Sequence, residues 1–196
     1  VSDTSQSAPP QPTPAAPRWT WTRIARRIRV PLGFLSAAFF VWLARPTRTS
    51  LIAGALVMGP GLILRAFASG HVQKDKQLTT SGPYAYTRNP LYLGSLLLAA
   101  GFAIAARSWW VVAIMFLTLI LIYVPVVAAE ERYLRSVFPE YDNYADNVPR
   151  LFPRLTPYGG SQSVYSSERY WKHHEYEASI GCVVMLAILI VKLFIS

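Results

Sequence analysis

The chain has 196 residues, of which 53% are hydrophobic and 15% charged, where a soluble domain of this size carries about 25% charged residues. With a positive mean hydropathy of +0.28, this excludes an ordinary water-soluble enzyme and a disordered chain. A single cysteine, Cys182, excludes a disulfide framework and a cysteine-only zinc site. The net charge of +9 fits anionic lipid headgroups and an orientation signal better than nucleic acid in so apolar a chain.

Residues 1–17 are Ser, Gln, Pro and Ala without periodicity and contain five prolines, the composition of a disordered tail. Residues 18–29 (RWTWTRIARRIR) place Trp21, Ile24, Ala25 and Ile28 on one helical face with arginines elsewhere, which predicts a basic interfacial helix. Residues 30–196 then form the membrane domain. A signal peptide with Val30–Ala44 as its core is the rival reading, disfavoured because no small-x-small cleavage site follows.

Five apolar stretches follow: Val30–Ala44, Leu51–Phe67, Leu91–Ala106, Trp109–Ala129 and Ser179–Ile195. Only the fourth reaches the ~20 residues that span a ~30 Å hydrocarbon core. The others need local thinning or snorkelling arginines and lysines at their ends, for which Arg45, Arg65, Arg107 and Lys192 are placed. The expected fold is therefore all-α and integral to the membrane, with about five transmembrane helices. Pro125 predicts a kink in the fourth span. Gly94, Gly101 and Ala105 form a small-residue stripe suited to close helix packing.

Orientation follows from the basic residues. With a cytoplasmic N-terminus, Arg18, Arg23, Arg26, Arg27, Arg29, Arg65, Lys74, Lys76, Arg88, Arg132, Arg135, Arg150, Arg154, Arg169 and Lys172 lie inside, and Arg45, Arg48, Arg107 and Lys192 outside. That asymmetry predicts five spans and puts both long polar loops, 68–90 and 130–178, on the cytosolic face. In a bacterium the membrane would be the inner one.

The first loop ends SGPYAYTRNPLYLG, Ser81 to Gly94. Ser81-Gly82-Pro83 and Asn89-Pro90 are turn signals, and Pro90 sits in the first turn of the third span. Arg88, Asn89, Tyr84, Tyr86 and Tyr92 thus gather beside a helix N-terminus, which attracts carboxylates and phosphates. An interfacial belt of Tyr and Arg has the same composition. The second loop opens Glu130-Glu131-Arg132-Tyr133-Leu134. Adjacent carboxylates at a membrane exit need solvent or partners. Glu131 has Arg135 at i+4, a favourable helical pair, whereas Glu130 has Leu134 there, so Glu130 is the stronger functional candidate.

In FPEYDNYADNVPRLFPRLTP, Phe138–Pro157, Tyr141 and Tyr144 are i, i+3 neighbours on a short helix. Pro149, Pro153 and Pro157 then impose an extended segment. Arg150 and Arg154 on it clamp an anion or contact lipid headgroups. His71 touches a ligand or lies in water. His173-His174 with Glu177 is too small a set for zinc. The Walker, GxSxG, HExxH and dinucleotide motifs are all missing.

The succession GPYxYxRNPLYLG, an apolar hairpin, EExxL, FxxxYxxY and VPRxxP resembles the isoprenylcysteine carboxyl methyltransferase family, itself similar to the phospholipid N-methyltransferases. The resemblance covers about 65–153. The chain has Asn89 where that family typically has His, and Phe138-Pro139 where it usually has Phe-Gly. The resemblance implies S-adenosylmethionine as cofactor, held at the cytosolic face by His71, Gly82, Tyr84, Arg88, Asn89, Pro90, Tyr92, Gly94, Glu130 and Glu131. It further implies Arg88 and Tyr92 as catalytic residues, Arg150 and Tyr141 as substrate contacts, and no metal. The expected partners are membrane lipids and a lipophilic or prenylated acceptor, not nucleic acid. The implied reaction is carboxyl O-methylation of an isoprenylcysteine-type substrate. Alternatives are phospholipid amine methylation, an NADPH-dependent sterol-type reductase, and a non-enzymatic membrane scaffold.

Overall fold

The computed structural model describes residues 35–72, 77–159 and 165–195, with only the backbone of Ile122. The expected tail, 1–17, and basic helix, 18–29, lie outside these residues. Two compact units divide the chain. Of the first, 1–38, residues 35–38 are described, and they are helical. The second, Phe39–Ser196, opens with helical residues 39–43 (α1) and carries everything below.

The helices of this unit are α2 (Arg48–His71), α3 (Pro90–Ala106), α4 (Trp109–Thr118), α5 (Val124–Val137), α6 (Tyr141–Asn147), α7 (Ser167–Lys172) and α8 (Glu175–Ile195). A 3-10 turn, Gly82–Ala85, precedes α3, and a π-helical turn, Leu119–Tyr123, joins α4 to α5 without a break. Among the described residues, Arg48–His71, Trp109–Val137 and Glu175–Ile195 are long and apolar enough to cross a membrane, and Pro90–Ala106 is a shorter apolar helix. Three helices therefore reach spanning length where five spans are expected.

The second span is longer than its apolar run suggests because polar residues cap it. Thr47 Oγ1 accepts from Ser50 N at 3.2 Å and Ser50 Oγ accepts from Thr47 N at 2.9 Å, a reciprocal cap that adds a turn before Leu51. At its other end α2 continues past Phe67 to His71, so Arg65 lies within the helix and does not snorkel from its end. It donates twice to Glu175 (2.8 and 3.0 Å) and once to Ser95 (2.5 Å), tying α2 to α8 and α3. Lys192 donates to the carbonyls of Val41 and Trp42 (2.5 and 3.0 Å), at the free C-terminal end of α1, where a cation is favoured.

Helices α2 and α3 run antiparallel with their backbones in contact. A Cβ on Gly54 would lie 2.5 Å from the Gly101 carbonyl oxygen, and one on Gly61 2.9 Å from that of Gly94. Gly94, Gly101 and Ala105 are thus a packing stripe, as their spacing predicts, and Gly54 and Gly61 are its unforeseen counterpart. Ser50 Oγ extends the seam by donating to Ala105 O at 3.1 Å. One end of the unit is closed by Ala44, Leu51, Ala105, Ala106, Val111 and Leu189. At the other end Tyr141, Tyr144 and Val148 pack with Leu78, Leu134, Phe138 and Tyr158. Pro125 cannot donate to the carbonyl of residue 121, and the π turn lies immediately upstream, which accounts for the irregularity expected there.

Candidate active site

The two polar loops meet at the second end. Arg88 N donates to Pro149 O (3.0 Å), Arg154 N to Tyr86 O (3.0 Å) and Tyr158 N to Ala85 O (2.9 Å). Thr87 Oγ1 donates to Leu151 O (3.0 Å), and Asn89 Nδ2 to Arg150 O (2.9 Å). Residues 148–158 contain no helix, as Pro149, Pro153 and Pro157 require, but bend repeatedly where an extended segment is expected, and form a strap against 85–89.

Glu131 locks this strap to α5. It is buried, and Arg150 grips it with two hydrogen bonds, Nη2 to Oε2 at 2.6 Å and Nε to Oε1 at 3.0 Å. Asn89 Nδ2 is 3.3 Å from Oε1, and Arg88 Nη1 is 3.9 Å away. The expected Glu131–Arg135 pair does not form. Arg135 turns to Asp142 at 2.6 Å, both exposed, while Glu131 faces inward where the strap brings a better partner. The bond to Glu131 also raises the affinity of the Arg150 guanidinium for its proton.

Beside this lock is a cavity of about 340 Å³, whose walls include Tyr84, Arg88, Asn89, Pro90, Tyr92, Glu130, Phe138 and Tyr141, within the ~300–1,000 Å³ range of small-molecule sites. Glu130 is exposed and accepts from the Tyr92 hydroxyl at 2.8 Å. Tyr144 donates to Tyr84 O at 2.7 Å, fixing the wall. Burial, then Glu130, pushes the Tyr84 phenol well above its usual range. Burial and Glu131 raise that of Tyr141 against the opposing pull of Arg88. Both phenols therefore stay protonated. Arg88 Nε and the Tyr141 hydroxyl are buried without a well-formed hydrogen bond among the described residues, and the Arg88 guanidinium lies beside the Tyr141 hydroxyl and interacts with it.

The structure brings Tyr84, Arg88, Asn89, Pro90, Tyr92, Glu130 and Tyr141 to the cavity wall. Glu131 stands behind Arg88 and Asn89. Arg150 borders a smaller cleft of about 100 Å³ with Asn89, Tyr92, Tyr123 and Val127. His71 is buried, with Nδ1 2.7 Å from Phe67 O, and its ring fills the place of a Cβ on Gly82, whose φ is +58°. Gly82 is therefore required twice, by its conformation and by the ring. Gly94 packs against Gly61. His71, Gly82 and Gly94 are not in the cavity wall. Sequence reasoning missed Leu78, Thr79, Leu134 and Phe138 in the wall. Only the proximity of Leu134 and Phe138 to the Glu pair could have marked them.

Fold and site define a helical integral membrane protein whose loops line a cavity at one end of its apolar helices. Residues 66–141 match the phospholipid methyltransferase family. The chain is also similar to the cobalt-zinc-cadmium resistance protein CzcN of Cupriavidus metallidurans, 41% identical over 102 residues, 52% of this chain and 44% of that protein. It is similar to the nickel-cobalt-cadmium resistance protein NccN of Alcaligenes xylosoxydans xylosoxydans, 37% identical over 93 residues, 47% of this chain and 43% of that protein. The chain thus spans less than half the length of each. No solved structure matches it.

Proposed function

We propose that this chain transfers a methyl group from S-adenosylmethionine to a lipophilic acceptor in the membrane, most simply a carboxylate of isoprenylcysteine type. The observation that carries the reading is the cavity whose wall brings together Arg88, Tyr141 and the Glu130 carboxylate. That donor set fits an amino-acid moiety: Arg88 and Tyr141 would hold its carboxylate, and Glu130 its ammonium or the ribose hydroxyls. When bound, the cofactor supplies a methyl already activated on a sulfonium. Arg88 and Glu130 orient, the Tyr84, Tyr92 and Phe138 rings exclude water, and the strap holds the wall in place. A carboxylate acceptor needs no base. A phospholipid amine, the second reading, is favoured by the description of the matching family; it must lose a proton before attack, and Glu130 is the carboxylate placed to take it.

Titration with S-adenosylmethionine tests the reading. Glu130→Gln should weaken binding about tenfold or more, the worth of a charge-assisted hydrogen bond, and Arg88→Lys should also weaken it, because lysine lacks the planar fork. Unchanged affinity in both variants, or binding of NADPH in place of S-adenosylmethionine, would remove the assignment. Among the described residues no group of three His, Cys, Asp or Glu gathers to hold a metal.

The reading also places the cavity on the cytoplasmic face, with the N-terminus on the same side. Its support is the distribution of basic residues: Arg45, Arg48, Arg107 and Lys192 cluster at the end of the unit remote from the cavity. A membrane-impermeant thiol reagent should reach Asp146→Cys from the cytoplasm and Arg48→Cys from the other side, with the buried Cys182 silent. The reverse pattern would invert the topology.

A further inference from the structure

We infer that the proline strap is a membrane-docking element, which holds the rim of the cavity against the headgroup region of the bilayer. Its backbone and side chains alternate between two roles. Arg150 and Leu151, Arg154 and Tyr158 turn to the 85–89 segment and make the bonds described above. Between these ties the strap presents Phe152 and Leu155 outward, 80% and 99% exposed. Pro153 and Pro157 fix the backbone on either side of Leu155, so the apolar pair is held out rigidly and loses little freedom on docking.

Three observations favour the lipid surface over another occupant. First, the strap lies level with the membrane boundary: it is bonded to the residues just before α3 begins, and through Arg150 to Glu131 near the end of the Trp109–Val137 span. Second, residues 148–158 (VPRLFPRLTPY) contain two arginines and no carboxylate, which complements anionic headgroups. Third, an aromatic and an aliphatic side chain set beside arginines is the composition of a membrane interface. Tyr86, also exposed, borders the strap through Arg154. The neighbouring helix α6, tied to the strap by Asn143 to Tyr158 and by Arg154 to the Asn147 carbonyl, presents Asp142 and Asp146 exposed, a surface made for water.

The inference goes beyond methyl transfer and is tested without it. The full chain carrying Phe152→Cys, Leu155→Cys or Asp146→Cys is labelled with bimane and reconstituted in bilayers of phosphatidylcholine and phosphatidylglycerol. The wild-type chain, with Cys182 buried, serves as the labelling blank. Fluorescence at 152 and 155 should be lost to a nitroxide lipid labelled near the headgroup and resist iodide, while that at 146 shows the reverse. Iodide quenching at 152 and 155 equal to that at 146 would place the strap in water and overturn the inference. Resistance to both quenchers would overturn it too, by revealing a protein surface, such as a second copy, over the strap. Because both side chains are almost free of contacts, the substitutions leave the fold intact.

Discussion

Glu131→Gln should lower the melting temperature of the detergent-solubilised protein by roughly 5–10 °C. Removing one partner of a buried ion pair costs about 3–5 kcal/mol when the other charge is left stranded in the interior. Here Glu131 is 8% exposed but Arg150 is 57% exposed, so the guanidinium regains water and the loss falls at about 2–3 kcal/mol. At ~2–4 °C per kcal/mol for a chain of this size, that gives the stated fall. Glu130→Gln, one residue away, should leave melting nearly unchanged, because Glu130 is exposed and its one recorded partner is the Tyr92 hydroxyl. The contrast separates a carboxylate that holds the fold from a neighbour that the fold does not need. Equal melting temperatures for the two variants would refute the strap lock.

The second large effect is expected in the α2–α3 seam. Gly54→Ala puts a methyl 2.5 Å from the Gly101 carbonyl oxygen and 2.9 Å from the Ala105 Cβ. Backbone oxygen cannot swing aside, so the helices must separate along the seam. Overpacking of this kind costs about 1–3 kcal/mol, and the loss of contact at Gly61 and Gly94 adds to it. Gly59→Ala, on the same helix, meets nothing within 4 Å and should be neutral or stabilising by up to ~1 kcal/mol, from helix propensity alone. Thermal unfolding of the pair measures the contrast. A Gly54→Ala protein as stable as Gly59→Ala would show that the backbones are not in contact.

What could be read from the sequence is what depends on near neighbours. The helix start at Pro90, the absence of helix in the strap and the Tyr141–Tyr144 pair follow from local chain chemistry, and the structure has all three. Preference for Glu130 as the functional carboxylate rested on an i+4 argument that named a wrong partner for Glu131. Arg135 was taken by Asp142, seven residues on, and Glu131 by Arg150, nineteen residues on. Arg65 and Glu175 are 110 residues apart, so no periodicity announces their pairing. Likewise Gly54 and Gly61 acquire meaning only once α3 lies against them. His71 stood open between ligand and solvent, and it packs on a glycine, a role that a lone polar residue at a helix end does not advertise.

The π turn has a bearing on how a helix so little buried keeps its polar end aimed inward. From Val111 to Val127 the described side chains that are not exposed are Val111, Met115, Leu119, Tyr123 and Val127, and Glu131 continues the series. In a regular helix of 3.6 residues per turn, each step of four overshoots by about 40°, so the series would wind round to the far side. The extra residue of the π turn sets the phase back by about 100°, roughly half of that accumulated drift. One narrow strip can then follow α3 from Val111 to the strap lock while the remaining circumference belongs to lipid. The irregular turn is therefore a phase corrector: it lets one continuous helix answer to the bilayer at Trp109 and to the strap lock on the buried Glu131 carboxylate.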